Sequence, residues 1–169
     1  EPGSAALTVR QRIERTAPSD IPVVLWNISQ IAAAEQIALP VDAASRFRGG
    51  LKALMGSKPA RPQLVAVKGI AVYRVSPGAE TKLGSDSPRG WIAAVRETNV
   101  IFESVANTAA GDYPDGGCVV EVYSNQGLGY SEIETLSPEL NLEPGTVLEN
   151  TLRIELAASK APLAARAFA

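Results

Sequence analysis

The stretch whose reading decides the fold runs from Gly111 to Leu156: GDYPDGGCVVEVYSNQGLGYSEIETLSPELNLEPGTVLENTLRIEL. It opens on Gly111-Asp112-Tyr113-Pro114-Asp115-Gly116-Gly117, where proline pre-sets one backbone angle and the glycines permit positive φ, so a tight turn is expected. Three β-prone runs follow, Cys118 to Ser124, Tyr130 to Leu136 and Val147 to Leu156, separated by the connectors Asn125 to Gly129 and Ser137 to Gly145. Short strands separated by turn chemistry at this spacing belong to sandwiches and barrels rather than to helical or α/β folds.

Outward from this stretch the same grammar continues. Toward the N-terminus, Trp91 to Glu97 and Val100 to Ala106 flank Thr98-Asn99 and predict a hairpin, while Gln63 to Val67 and Ile70 to Val75 are short β-prone segments that flank Lys68-Gly69. Ser76 to Gly90 reads as a loop. Ala32 to Pro62 reads as a long irregular connection, with room for a helical turn or two between Ala43 and Met55. At the start, Leu7, Val9 and Ile13 alternate with Thr8, Arg10, Arg12 and Glu14 as a half-buried strand does, and Ile21 to Ile31 is a second β-rich run that would close a hairpin with it. The count is about nine strands. The class is all-β, an antiparallel sandwich, with residues 157–169 an alanine-rich tail broken by Pro162.

Composition narrows the function. Hydrophobic residues are 46% and charged residues 20% of 169, ordinary globular usage, which excludes disordered and fibrous classes. Sixteen basic residues against eighteen acidic ones, with no basic cluster, give nucleic acid nothing to recognise. The apolar runs are too short for the roughly 20 residues of a membrane-crossing helix. The single cysteine, Cys118, excludes an internal disulfide and leaves the compartment open, periplasm and exterior included. The chain has no histidine, and from this a zinc site or a Ser-His-Asp triad within it is not expected. The acidic residues of the 111–117 loop lack EF-hand spacing, and neither a metal nor a cofactor is assigned.

The order of several short segments resembles the galactose mutarotase (aldose 1-epimerase) superfamily, closest to an uncharacterised bacterial branch. The segments are Leu25-Trp26-Asn27-Ile28-Ser29-Gln30, Tyr113 to Gly117, Glu121-Val122-Tyr123, Tyr130-Ser131-Glu132-Ile133-Glu134 with Pro138, and Leu142-Glu143-Pro144-Gly145. The resemblance implies a β-supersandwich of about twice this length, of which residues 1–156 would be the C-terminal part of one domain. The absent upstream half, on this chain or another, would be its partner, and a carbohydrate its ligand. It also implies chemistry at an anomeric centre: a base takes the proton of the anomeric hydroxyl while an acid delivers one to the ring oxygen.

In that superfamily a strand glutamate is the base and a histidine the acid. The glutamate's motif matches Ile133-Glu134-Thr135, which makes Glu134 the candidate base and Glu132 its runner-up; the acid has no counterpart, because the matching segment from Leu25 to Gln30 holds no histidine. Strand periodicity puts Tyr130, Glu132 and Glu134 on one face, an arrangement equally common on a solvated strand. Trp26 offers a face on which a pyranose would stack, with Asn27 and Gln30 beside it, although a tryptophan in a strand also serves a core. Asp112, Tyr113 and Asp115 of the turn and Glu121 of the next strand complete the expected sugar-binding set. Three readings stay open: a mutarotase-like epimerase, a non-catalytic carbohydrate-binding protein, and a structural half-domain completed by another segment.

Overall fold

The computed structural model describes residues 5–56, 59, 63–75, 80–106 and 108–158. Among these, twelve strands form two antiparallel sheets: β1 (Ala6–Glu14), β2 (Trp26–Ala32), β3 (Gln36–Pro40), β4 (Lys52–Met55), β5 (Leu64–Val67), β6 (Ile70–Arg74), β7 (Thr81–Ser85), β8 (Trp91–Arg96), β9 (Asn99–Val105), β10 (Val120–Asn125), β11 (Tyr130–Leu136) and β12 (Val147–Ala158). One sheet has the order β1-β12-β9-β8-β3-β6-β5, the other β2-β11-β10-β7-β4.

Alternation along the strands packs the sheets face to face. Ile37, Tyr73, Ile92 and Ala94 of the larger sheet meet Ile31, Leu83, Val120, Val122 and Ile133 of the smaller one in a single buried cluster. At about 25 cal/mol per Å² of apolar surface, this shared layer is the main stabilising contribution to the sandwich. Residues of opposite parity on the smaller sheet, among them Trp26, Gln30, Lys82, Glu121, Glu132 and Glu134, stand on its outer face. That face carries the expected site.

The β8–β9 hairpin forms as the sequence predicts, turning at Glu97, whose φ is 55°, and the two β-prone segments around Lys68-Gly69 pair as a second hairpin, β5–β6. The first two strands do not pair. β1 lies against β12 and β2 against β11, in different sheets, because alternation marks a strand without naming its partner. Residues 15–25 cross between the layers; within the predicted second run from Ile21 to Ile31 the strand begins at Trp26, preceded by the isolated Val23–Leu140 bridge.

The supposedly irregular 32–62 region contains β3 and β4, and its only helical feature among the described residues is a 3-10 turn at Arg48–Gly50. β3 is a central strand buried on both sides, and such strands lose the two-residue polar rhythm that identifies a half-buried one. The 76–90 loop likewise contains β7, masked in sequence by Lys82, Gly84 and Ser85, residue types depleted in strands. β12 continues to Ala158, two residues beyond the expected end, and the remainder of the predicted tail lies outside the described residues.

Candidate functional site

The centre of the outer face is built by register. Glu121 on β10 and Glu134 on β11 are direct cross-strand partners, which brings their Cβ atoms to about 4.5–5.5 Å. On the far side of β10, Glu121 faces Gly84 and Tyr123 faces Lys82. Because Gly84 has no side chain, Cys118 packs over it; a Cβ there would lie 2.3 Å from the Cys118 Sγ.

Lys82 reaches back over the strands and gathers the acidic groups. Its Nζ lies 2.8 Å from Glu121 Oε2, 3.3 Å from Glu134 Oε2 and 3.8 Å from Asp115 Oδ2. It also stands 4.8 Å from the centroid of the Trp26 ring, within cation–π range. The Trp26 indole Nε1 donates to Glu134 Oε2 at 2.7 Å. Both carboxyl oxygens of Glu121 are buried, and beyond the close approach of Lys82 to Oε2 neither has a well-aligned hydrogen-bond partner among the described residues.

The cluster is closed. Glu121 is 0% and Glu134 1% exposed, whereas 15% of the Lys82 side chain reaches solvent. A ligand that contacts Glu134 Oε2 takes the place of the Lys82 ammonium or the Trp26 indole, which now hold it.

The turn at Pro114–Gly117 sets one wall. A Cys118 N–H to Pro114 C=O bond closes it, while Asp115 and Gly116 adopt left-handed backbone, φ 53° and 78°. Lys52 of β4 holds it by donating to the Asp115 carbonyl at 2.7 Å, with its ammonium filling the space where a side chain at Gly116 would sit.

Burial governs the protonation of these groups. It pushes Glu121 up to about 8, against the hydrogen bond and charge of Lys82, with Asp115 and Glu134 adding repulsion. Glu134 is also raised by burial, but it is held down by Lys82 and by the Trp26 N–H. Burial works to lower Lys82, yet the Glu121 hydrogen bond and the charges of Glu121 and Glu134 outweigh it and raise the ammonium's pKa. Glu121 and Glu134 thus differ in their surroundings: Lys82 and the Trp26 N–H both favour the charged form of Glu134, whereas Asp115 and Glu134 add repulsion at Glu121. The Cys118 thiol is raised by burial and is not a nucleophile.

The remaining expected residues fall in three places. Glu132 and Gln30 share the outer face and bond to each other at its exposed rim, 3.0 Å apart. Asn27 has the opposite parity to Trp26 and points between the sheets, where its Nδ2 is 3.3 Å from Glu103 Oε2. Asp112 is exposed, and its carbonyl accepts from Glu139 N–H at 2.7 Å. Tyr113 packs against the core and donates its hydroxyl to the Ala109 carbonyl at 2.9 Å. The structure thus gathers Trp26, Asp115, Glu121 and Glu134, sets Glu132 and Gln30 at the margin, and leaves Asn27, Asp112 and Tyr113 outside the cluster.

Lys82 and Lys52 are the residues that sequence reasoning missed. The only signal for Lys82 was its alternation with the apolar Leu83 in Thr81-Lys82-Leu83, inside a segment otherwise written in loop residues. Among the described residues no three His, Cys, Asp or Glu side chains form a metal-binding group, and the middle of the acidic cluster is taken by the Lys82 ammonium.

With two layers and their strand order defined, the fold is similar to that of one solved protein. A crystal structure from Escherichia coli K12, provisionally identified as an aldose 1-epimerase, superposes with a TM-score of 0.59 over 91% of this chain at 10% sequence identity. The match covers 57% of the Escherichia coli protein's length, so this chain spans little more than half of it. No protein-family model matches the sequence, and no curated protein resembles it at the sequence level.

Proposed function

We propose that the outer face of the five-stranded sheet binds a sugar at the cluster formed by Trp26, Lys82 and Glu134, and that Glu134 acts as base at its anomeric hydroxyl. The observation that carries this reading is the Trp26–Glu134 pair. An indole, the side chain best suited to a pyranose face, donates directly to a buried carboxylate that stands in a polar cluster instead of against aliphatic residues. The fold supports a sugar-related role. A segment equivalent to the unmatched part of the longer Escherichia coli protein is the expected structural partner, on this chain or another.

Anomer exchange of glucose, galactose and mannose, followed by magnetisation-transfer NMR in weakly buffered solution, tests the proposal. The protein should accelerate exchange of at least one sugar over the protein-free rate. Glu134→Gln, which keeps shape and loses the base, should slow it by about 10²–10⁴-fold while changing affinity little.

Non-catalytic carbohydrate binding is the second reading, favoured by the closure of both carboxylates beneath Lys82. It predicts saturable sugar binding by calorimetry with exchange at the protein-free rate.

A further inference from the structure

We propose that Glu121 is the general acid of the site, paired side by side with Glu134, so that two glutamates on neighbouring strands do what a base and a histidine would otherwise do. This rests on the reading of the site as acting at an anomeric centre.

Two observations carry it. Glu121 and Glu134 are direct cross-strand partners on one face, and both lie within hydrogen-bonding or ion-pairing reach of a single atom, Lys82 Nζ, at 2.8 and 3.3 Å. That ammonium marks a position from which one donor-bearing group contacts both carboxyls. Finally, Glu121 is wholly buried and carries both carboxyl oxygens out of solvent, with the Lys82 ammonium 2.8 Å from Oε2. Burial, which lifts Glu121 to about 8, keeps a proton on this carboxyl at neutral pH.

The sugar's anomeric and ring oxygens are bonded to the same carbon, so neighbouring carboxyls reach both from one side. With Lys82 displaced, Glu134 takes the proton of the anomeric hydroxyl. The bond from C1 to the ring oxygen breaks, its electron pair goes to the ring oxygen, and C1 becomes an aldehyde carbon. Glu121 delivers its proton to the ring oxygen as it leaves. After rotation about C1–C2 the hydroxyl attacks the opposite face of the carbonyl. It returns its proton to Glu121 while Glu134 gives its own back to the carbonyl oxygen. Both residues end as they began, and no co-reactant is consumed. Lys82 is a positioning residue, whose charge sets how tightly Glu121 holds its proton in the free protein, before the sugar displaces it.

The experiment is anomer exchange of the same three sugars between pH 5 and 9.5, with parent, Glu121→Gln, Glu134→Gln and Lys82→Met, each checked for folding by thermal melting. Glu121→Gln should lose about 10²–10⁴-fold in exchange rate, as expected for removal of general acid catalysis. In the parent, the rate should fall as pH rises through about 8, where the acid loses its proton. Lys82→Met removes a charge that holds Glu121 down, so that limb should move to higher pH.

A folded Glu121→Gln variant exchanging at the parental rate overturns the assignment, and so does a rate that persists undiminished to pH 9.5 in the parent. The second readout decides the matter if Glu121→Gln does not fold. No exchange by the parent on any of the three sugars is a different failure: it removes the mutarotase reading itself, and the acid assignment with it.

Discussion

Trp26 does two separable things with one side chain: its N–H donates to Glu134 and its ring lies under the Lys82 ammonium. Trp26→Phe keeps a ring and removes the donor. Since that bond holds Glu134 down, its loss raises the Glu134 pKa, and the acid limb of any exchange activity should move to higher pH. A pH–rate profile of the variant with an unmoved acid limb would show that the indole does not tune the base. The face shared by Glu132 and Glu134 was legible in the sequence, because a two-residue period fixes parity. The same period already separates Asn27 from Trp26 and Gln30, so proximity in sequence was the wrong guide there. Lys82 was not legible: its role comes from the register of β7 against β10, which a single strand's sequence does not contain.

At the scale of elements, β7 is the strand on which the site depends most. It lies between β10 and β4 and carries both Lys82 and the vacant space at Gly84. Gly84→Ala places a methyl where the Cys118 sulfur packs, and overpacking of this kind costs about 1–3 kcal/mol. Urea unfolding should show that loss as a lower midpoint with an unchanged slope. Gly84→Ala together with Cys118→Ala should recover part of it. A strand with one wetter face, such as β1, was readable from alternation. β3 and β7 were not, the first being buried on both sides and the second being spelled in residues that strands avoid. The 111–117 turn was readable because its chemistry is local; what it faces was not.

For the whole molecule, buried carboxyls set the dependence of stability on pH. Glu103 in the interlayer space is raised by burial despite a Ser29 hydrogen bond, and Glu121 and Glu134 are raised on the outer face. A carboxyl whose folded pKa exceeds its unfolded value contributes stability that is fully present below about 4.5 and is lost as pH climbs through the folded value. For Glu121 that window runs from 4.5 to about 8. The melting temperature should therefore decline across it, by about 2–4 °C for each kcal/mol lost. Glu121→Gln should flatten the decline, and a parent curve that is level between pH 5 and 8 would contradict the burial of a protonated Glu121.

The two tryptophans also divide between the two layers, Trp26 on β2 of the smaller sheet and Trp91 on β8 of the larger, stacked on Phe102 at 5.5 Å. Each sheet thus carries its own fluorophore. Trp91→Phe leaves emission from the smaller sheet alone and Trp26→Phe leaves emission from the larger. Because one hydrophobic cluster is common to both layers, the two emission signals should report coincident unfolding once each variant's own stability is allowed for. A signal that changes in one sheet while circular dichroism of the other persists would mean that the sandwich opens along its middle before it melts.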